Sequence, residues 1–137
     1  MAFPEMSEPP ANDLEQTIAE QVSSQVKSEV VDIYEELLIN IWNKIVPTLG
    51  QVTVSAIFDR AIHRTSKQFP FVEHLQVSRS HLDFSKLRAG LQERNKDNIK
   101  DGFKDLVTNL IDILAKLTGN ILVNVVMQEV EGLTGDV

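Results

Sequence analysis

The chain has 137 residues, which is enough for one domain with a single hydrophobic core. Its 42% hydrophobic and 24% charged residues are typical of a globular protein and exclude an intrinsically disordered one. The absence of cysteine excludes disulfides, thiol nucleophiles and thiolate metal sites. The formal net charge of -7 argues against nucleic acid as the main partner, because phosphate binding needs a concentrated positive surface.

The charge is distributed unevenly along the chain. Residues 1–59 carry 10 acidic and 2 basic side chains, residues 60–100 carry 4 acidic and 9 basic, and residues 101–137 carry 6 acidic and 2 basic. The middle block is therefore positive between two negative blocks. We expect it either to pack near acidic segments of the same assembly or to form a local anion site.

Residues 1–11 contain three prolines and few apolar side chains, a composition that predicts a disordered tail. A long helix is then predicted from about 13 to 46, with Asn12 or Asp13 as its N-cap. Up to Ser28 its apolar stripe is thin, with one apolar residue per turn, and beyond that point the stripe thickens. We interpret the second half as a core helix and the first half as an arm whose stripe needs a neighbour from another subunit.

A helix of intermediate length is predicted from about 48 to 68, where apolar residues again recur at helical spacing. Pro47 should close or kink the preceding helix, because its ring does not fit a straight helical interior. The β-branched run at 52–54 could start a strand, but the residues after it have helical periodicity, which favours the helix. Residues 69–82 are predicted to be irregular, with a short helical turn near 72–75.

A short helix is predicted from about 84 to 94, capped by Asp83 or Ser80. On this helix, Leu87 and Leu91 are expected to face inward, and Lys86, Arg88 and Glu93 are expected to face solvent.

The most strongly patterned stretch is the predicted second long helix, from about 97 to 131. Its apolar face is so wide that we expect neighbours on most sides. Gly119 lies inside this helix, where glycine costs about 1 kcal/mol relative to alanine. Because the polar series continues in phase across it, we predict an unbroken helix with Gly119 as a point of close packing.

Together these elements predict an all-α helical bundle, with a single domain over 12–133 and a frayed tail over 134–137. No stretch has the apolar run of a secretion signal or a membrane span, so we expect a cytoplasmic protein with no membrane partner. Surplus apolar surface on both long helices predicts a homo-oligomer, either a dimer or a dimer of dimers. The residues expected at its interface are Leu14, Ile18, Val22, Gly119, Leu122 and Val126.

The sequence offers no catalytic, cofactor or metal motif of recognised spacing. An acidic series on the first helix is interpreted as a solvated face; it consists of Glu29, Asp32, Glu35 and Glu36. A metal site that combines His74, His81 and Asp83 is conceivable but has no supporting pattern. The phenylalanines in and around the irregular 69–82 segment and at the start of the last helix are most simply core residues, with a hydrophobic ligand pocket as the alternative. They are Phe69, Phe71, Phe84 and Phe103.

A basic stripe at helical spacing follows residue 59 and could bind an anionic or aromatic ligand, although a solvated face is the simpler interpretation. The candidate ligand residues are Arg60, His63, Arg64, Lys67, Phe71 and Arg79. Our leading hypothesis is a non-enzymatic interaction or regulatory module that self-associates through its long helices and can also bind a protein partner. The alternatives are a small-molecule sensor that uses the basic 60–88 region and a phosphotransfer-like bundle that uses His63.

Overall fold

A computed structural model of the protein describes residues 11–78 and 81–135, and its helices confirm the predicted all-α bundle. The helices are α1 (Ala11–Leu49), α2 (Gln51–Ser66), α3 (Ser85–Ala89), α4 (Lys96–Thr118) and α5 (Asn120–Gly135). Two 3-10 turns, Pro70–His74 and Leu91–Glu93, flank α3, and two short antiparallel strands lie before it, β1 (Gln76–Val77) and β2 (Leu82–Asp83). The predicted N-terminal tail lies outside the described residues except for Ala11, and positions 134 and 135 of the predicted C-terminal tail are helical.

The end of α1 was predicted at Pro47, but the helix continues to Leu49. Pro47 lies in the last turn and has no N–H, so one helical hydrogen bond is missing there. The turn comes at Gly50, which has φ 85° and ψ 158°, and whose N–H donates to the carbonyl of Val46 at 2.7 Å. This positive φ is accessible mainly to glycine. Helix α2 begins at the next residue, Gln51.

The second half of α1 is a core helix, as predicted. Buried side chains begin at Val31 and continue along one side through Ile45. The next helix, α2, includes the 52–54 run without a strand, and it ends where the carbonyl of Thr65 accepts hydrogen bonds from the N–H groups of Gln68 and Phe69.

The predicted unbroken helix over 97–131 is wrong. Helix α4 ends at Thr118, and Gly119 takes φ 70° and ψ -146° while its N–H donates to the carbonyl of Ala115 at 3.0 Å. A Cβ atom at Gly119 would meet nothing within 4 Å, so this glycine does not serve close packing. It provides the backbone conformation that separates α4 from α5.

Close packing occurs instead at Gly102, inside α4. A Cβ atom there would lie 2.5 Å from Cε1 and Cζ of Phe71. The ring of Phe71 packs edge-on against Phe103, with centroids 5.9 Å apart, and Phe103 stacks on Tyr34 of α1 at 5.0 Å. This aromatic group therefore joins α1, α4 and the first 3-10 turn.

The short helix predicted over 84–94 is smaller than expected. Helix α3 ends at Ala89, and a 3-10 turn at Leu91–Glu93 follows Gly90. The predicted inward residues Leu87 and Leu91 are both buried. The cap predicted at Asp83 is wrong by one position, because the N-cap of α3 is Phe84, which makes no side-chain cap hydrogen bond. Oδ1 of Asp83 accepts the N–H of Ser85 at 2.9 Å and also its hydroxyl, and these hydrogen bonds hold the pKa of Asp83 below its usual value.

The region predicted to be irregular contains more order than the sequence indicated. Pro70–His74 forms the short helical turn predicted near 72–75, and β1 then pairs with β2 in the register Gln76 with Asp83 and Val77 with Leu82. Ser80, the alternative cap, lies outside the described residues.

Candidate interaction surfaces

The first part of α1, residues 11–27, is here called the arm. Among its described side chains none is buried, whereas burial is complete at Val31. Ile18 and Val22 are 52% and 54% exposed, and Val26 is half-buried. Their four-residue spacing places them one above another on the helix, as a narrow apolar stripe. The backbone of Leu14 is helical, but its side chain lies outside the described set.

A groove of about 590 Å3 lies between α2 and α4. The groove is lined by Thr53, Ala56, Ile57, Asp59, Arg60, His63, Ile113 and Leu117. Ile57 and Ile113 are buried and form its floor, while Leu117 is 62% exposed at its edge. The α2–α4 groove thus combines an apolar floor with charged and polar side chains on the α2 rim.

Of the five candidate ligand residues that the structure describes, two, Arg60 and His63, lie together in this groove. Phe71 is buried in the aromatic group, which places it outside any surface site. Lys67 is exposed one turn beyond Arg64 and does not line the groove, and Arg79 lies outside the described residues.

Arg64 is engaged in an ion pair within the chain. Its Nη1 donates to Oδ2 of Asp112 on α4 at 3.0 Å, and the same oxygen lies 3.1 Å from Nζ of Lys116. The hydrogen bonds from Lys116 and from Arg64 hold the pKa of Asp112 below its usual value. Although Arg60 and Arg64 share one helical stripe, they have different surroundings.

The acidic series on α1 was interpreted as a solvated face and Arg88 as an outward residue, and both interpretations are wrong in part. Arg88 Nη2 donates to Asp32 Oδ1 at 2.6 Å and to Glu35 Oε1 at 2.8 Å, and Nε also donates to Glu35 at 3.2 Å. Burial alone lowers the pKa of Arg88, but the hydrogen bonds to Glu35 and Asp32 outweigh that effect and raise it. The sequence signal was the spacing of Asp32 and Glu35, which places both carboxylates on one helical face.

Helix α5 packs against α1 and α4, with a long ion pair of 3.9 Å between Lys44 and Glu129. Two of the residues expected at an oligomer interface, Leu122 and Val126, are buried by these contacts within their own chain. They are therefore unavailable to a second copy. Gly119 is exposed, and Ile121 beside it is 76% exposed.

Among residues 11–78 and 81–135, no group of three or more His, Asp or Glu side chains could hold a metal ion. His81 instead lies 2.8 Å from the hydroxyl of Ser78, through Nδ1, in the hairpin formed by β1 and β2. His63 is an exposed residue of α2.

Comparisons with protein-family models, curated proteins and solved structures found no match to this chain. Within the described part of the chain, none of the helices combines the length and apolar content needed to cross a bilayer.

Proposed function

We propose that this protein is a non-enzymatic helical interaction module that self-associates through its arm. The supporting observation is the exposed stripe formed by Ile18 and Val22 on a helical segment with no buried side chain among those described. Helical segments of this kind gain most of their stability from packing of their apolar side, because propensity alone is marginal in water. A second protein surface that covers the stripe supplies the missing packing.

The arm extends about 25 Å along the helix axis at 1.5 Å per residue. Covering the exposed half of Ile18 and of Val22 contributes about 1 kcal/mol for each side chain. In a two-fold dimer, the four side chains together supply about 4 kcal/mol, whereas a micromolar dissociation constant requires about 8 kcal/mol. Self-association at micromolar concentration therefore needs further apolar surface besides the two stripes.

Sedimentation velocity over about two decades of protein concentration, roughly 1 to 100 μM, tests this function. We expect the wild type to sediment as a dimer or higher species and the double variant I18D/V22D to be monomeric with its helical circular dichroism retained. The control S24D/K27Q changes the net charge by the same amount on the opposite side of the helix and should associate like the wild type. A monomeric wild type, or undiminished association of I18D/V22D, would contradict the proposal.

A small-molecule sensor is the second candidate, because Arg60 and His63 lie at the rim of an apolar groove. A bound anionic or aromatic ligand would raise the melting temperature by mass action. Thermal shift of the wild type and of Arg60→Gln, measured against a panel of organic anions, tests this alternative. A ligand that stabilises the wild type but not Arg60→Gln would support the sensor, and a panel without any such ligand would count against it.

A further inference from the structure

We infer that the arm of one copy binds in the α2–α4 groove of a second copy, rather than alongside the second copy's arm. This inference rests on the proposed self-association and names the surface that receives the arm. Recognition of an amphipathic helix by an apolar groove is a common mode of helix binding, in which residues at i and i+4 provide the anchors. Ile18 and Val22 have that spacing, and the groove offers an apolar floor of matching character.

The occupant must come from another copy because α1 is a continuous helix. Its second half is fixed in the core from Val31 onward, and the helix runs without interruption from Ala11. An unbroken helix cannot fold back to place its own beginning in a groove on α2 and α4. Each copy offers one arm and one groove, so two identical contacts related by a two-fold axis close a dimer.

Charge favours the groove over a second arm. By sequence, residues 11–27 carry three acidic residues and one basic residue. Pairing two arms would bring two net-negative segments together. The groove presents Arg60 together with Asp59, while the nearby Asp112 is already neutralised by ion pairs within the chain. The charges of Asp59 and Arg60 cancel, so the groove does not repel the acidic arm as a second arm would.

The contact also adds apolar area to that of the two stripes. Leu117 is 62% exposed at the edge of the groove, and Ile57 and Ile113 lie beneath it. A helix in the groove would cover Leu117 together with Ile18 and Val22. In an arm–arm pair, Leu117 would remain in water.

The absence of cysteine from the sequence permits a clean cross-linking experiment. Ala19→Cys marks the arm beside its stripe and Ala56→Cys marks the groove; both alanines are exposed. Mixing the two single variants in equal amounts with a short thiol-specific cross-linker should give mainly the mixed product, identified by mass spectrometry. The control Lys104→Cys lies on α4 on the side away from the groove and should cross-link to Ala19→Cys much less.

Each outcome bears on a different level of the inference. Preferential cross-linking of position 19 to position 56 supports it, and equal cross-linking to position 104 overturns it. A predominant product between two arms, with a wild type that is dimeric in sedimentation, overturns the groove contact but leaves self-association intact. A monomeric wild type overturns both.

A charge reversal provides the second measurement. Arg60→Glu places a negative charge where the acidic arm docks and should weaken self-association on the order of tenfold, whereas Lys104→Glu, with the same change of charge, should leave it nearly unchanged. Equal weakening by both variants would show a general charge effect and would overturn the groove contact.

Discussion

Gly102→Ala is expected to destabilise the fold although it improves the helix propensity of α4. The new Cβ atom would lie 2.5 Å from two ring carbons of Phe71 and 3.3 Å from Cβ of Phe69. Non-bonded carbon atoms are optimally about 3.5–4.0 Å apart, so the ring of Phe71 must move by about 1 Å. That ring is 4% exposed and packs against Phe103, which leaves it little freedom to move.

The magnitude follows from two opposing effects. Overpacking in a well-packed core costs about 1–3 kcal/mol, and replacing a helical glycine by alanine returns about 1 kcal/mol. Because the contact involves two ring carbons of a buried side chain, we expect a cost near the upper end and a net destabilisation of about 1–2 kcal/mol. Gly132→Ala is the matched control, since Gly132 lies in α5 and an added Cβ would meet nothing within 4 Å.

Urea unfolding followed by circular dichroism measures both variants against the wild type, provided that the m-values agree. Gly102→Ala should lower the free energy of unfolding, and Gly132→Ala should leave it unchanged or raise it by up to about 1 kcal/mol. Phe71→Leu should cost less in the Gly102→Ala background than alone, because the smaller side chain relieves the contact. A Gly102→Ala variant as stable as Gly132→Ala would refute the close approach.

Three further predictions concern the ion pairs and the break between α4 and α5. Replacing Arg88 by Met should lower the free energy of unfolding by about 1 kcal/mol at low salt and by less at 1 M salt. A double-mutant cycle with Glu35→Gln should show coupling between the two side chains, and additive effects would contradict the ion pair. Gly119→Ala should cost about 1–3 kcal/mol in thermal or urea unfolding, because φ of 70° is strained for alanine, and an unchanged stability would contradict the turn. The lowered folded-state pKa of Asp112 means that its contribution to stability is complete above the unfolded-state value near 3.8 and is lost as pH falls through the folded-state pKa. Asp112→Asn should therefore reduce the acid sensitivity of the free energy of unfolding below about pH 4, and identical pH profiles for wild type and variant would count against it.

Periodicity in the sequence was sufficient to locate α1, α2 and α4, because it reports which side of each segment is apolar. The 97–118 part of the last pattern is a helix with its apolar side inward, and α2 is helical through its β-branched start. The change from a thin to a thick stripe near Ser28 also located the point at which α1 joins the core. Each of these features depends on residues within a few turns of one another.

The candidate ligand site depended on contacts that local spacing does not encode. Arg60 and Arg64 belong to one helical stripe, yet one lines an open groove and the other is paired with Asp112 across 48 positions of sequence. Arg88 similarly finds Glu35, 53 positions away. The sequence could identify these charges, but only the packing of the helices determines which of them remain available to a partner.

The sequence by itself determined that this protein is helical, where its apolar sides lie, and that the apolar stripe at the beginning of α1 is thin. The tertiary structure decided what each glycine in the last helical pattern does. Gly102 faces Phe71, which packs across it, while Gly119 faces open space and turns the chain. Both glycines are compatible with the same periodic pattern. Periodicity specifies which side of a helix is buried, but not which atoms of other elements lie against each glycine.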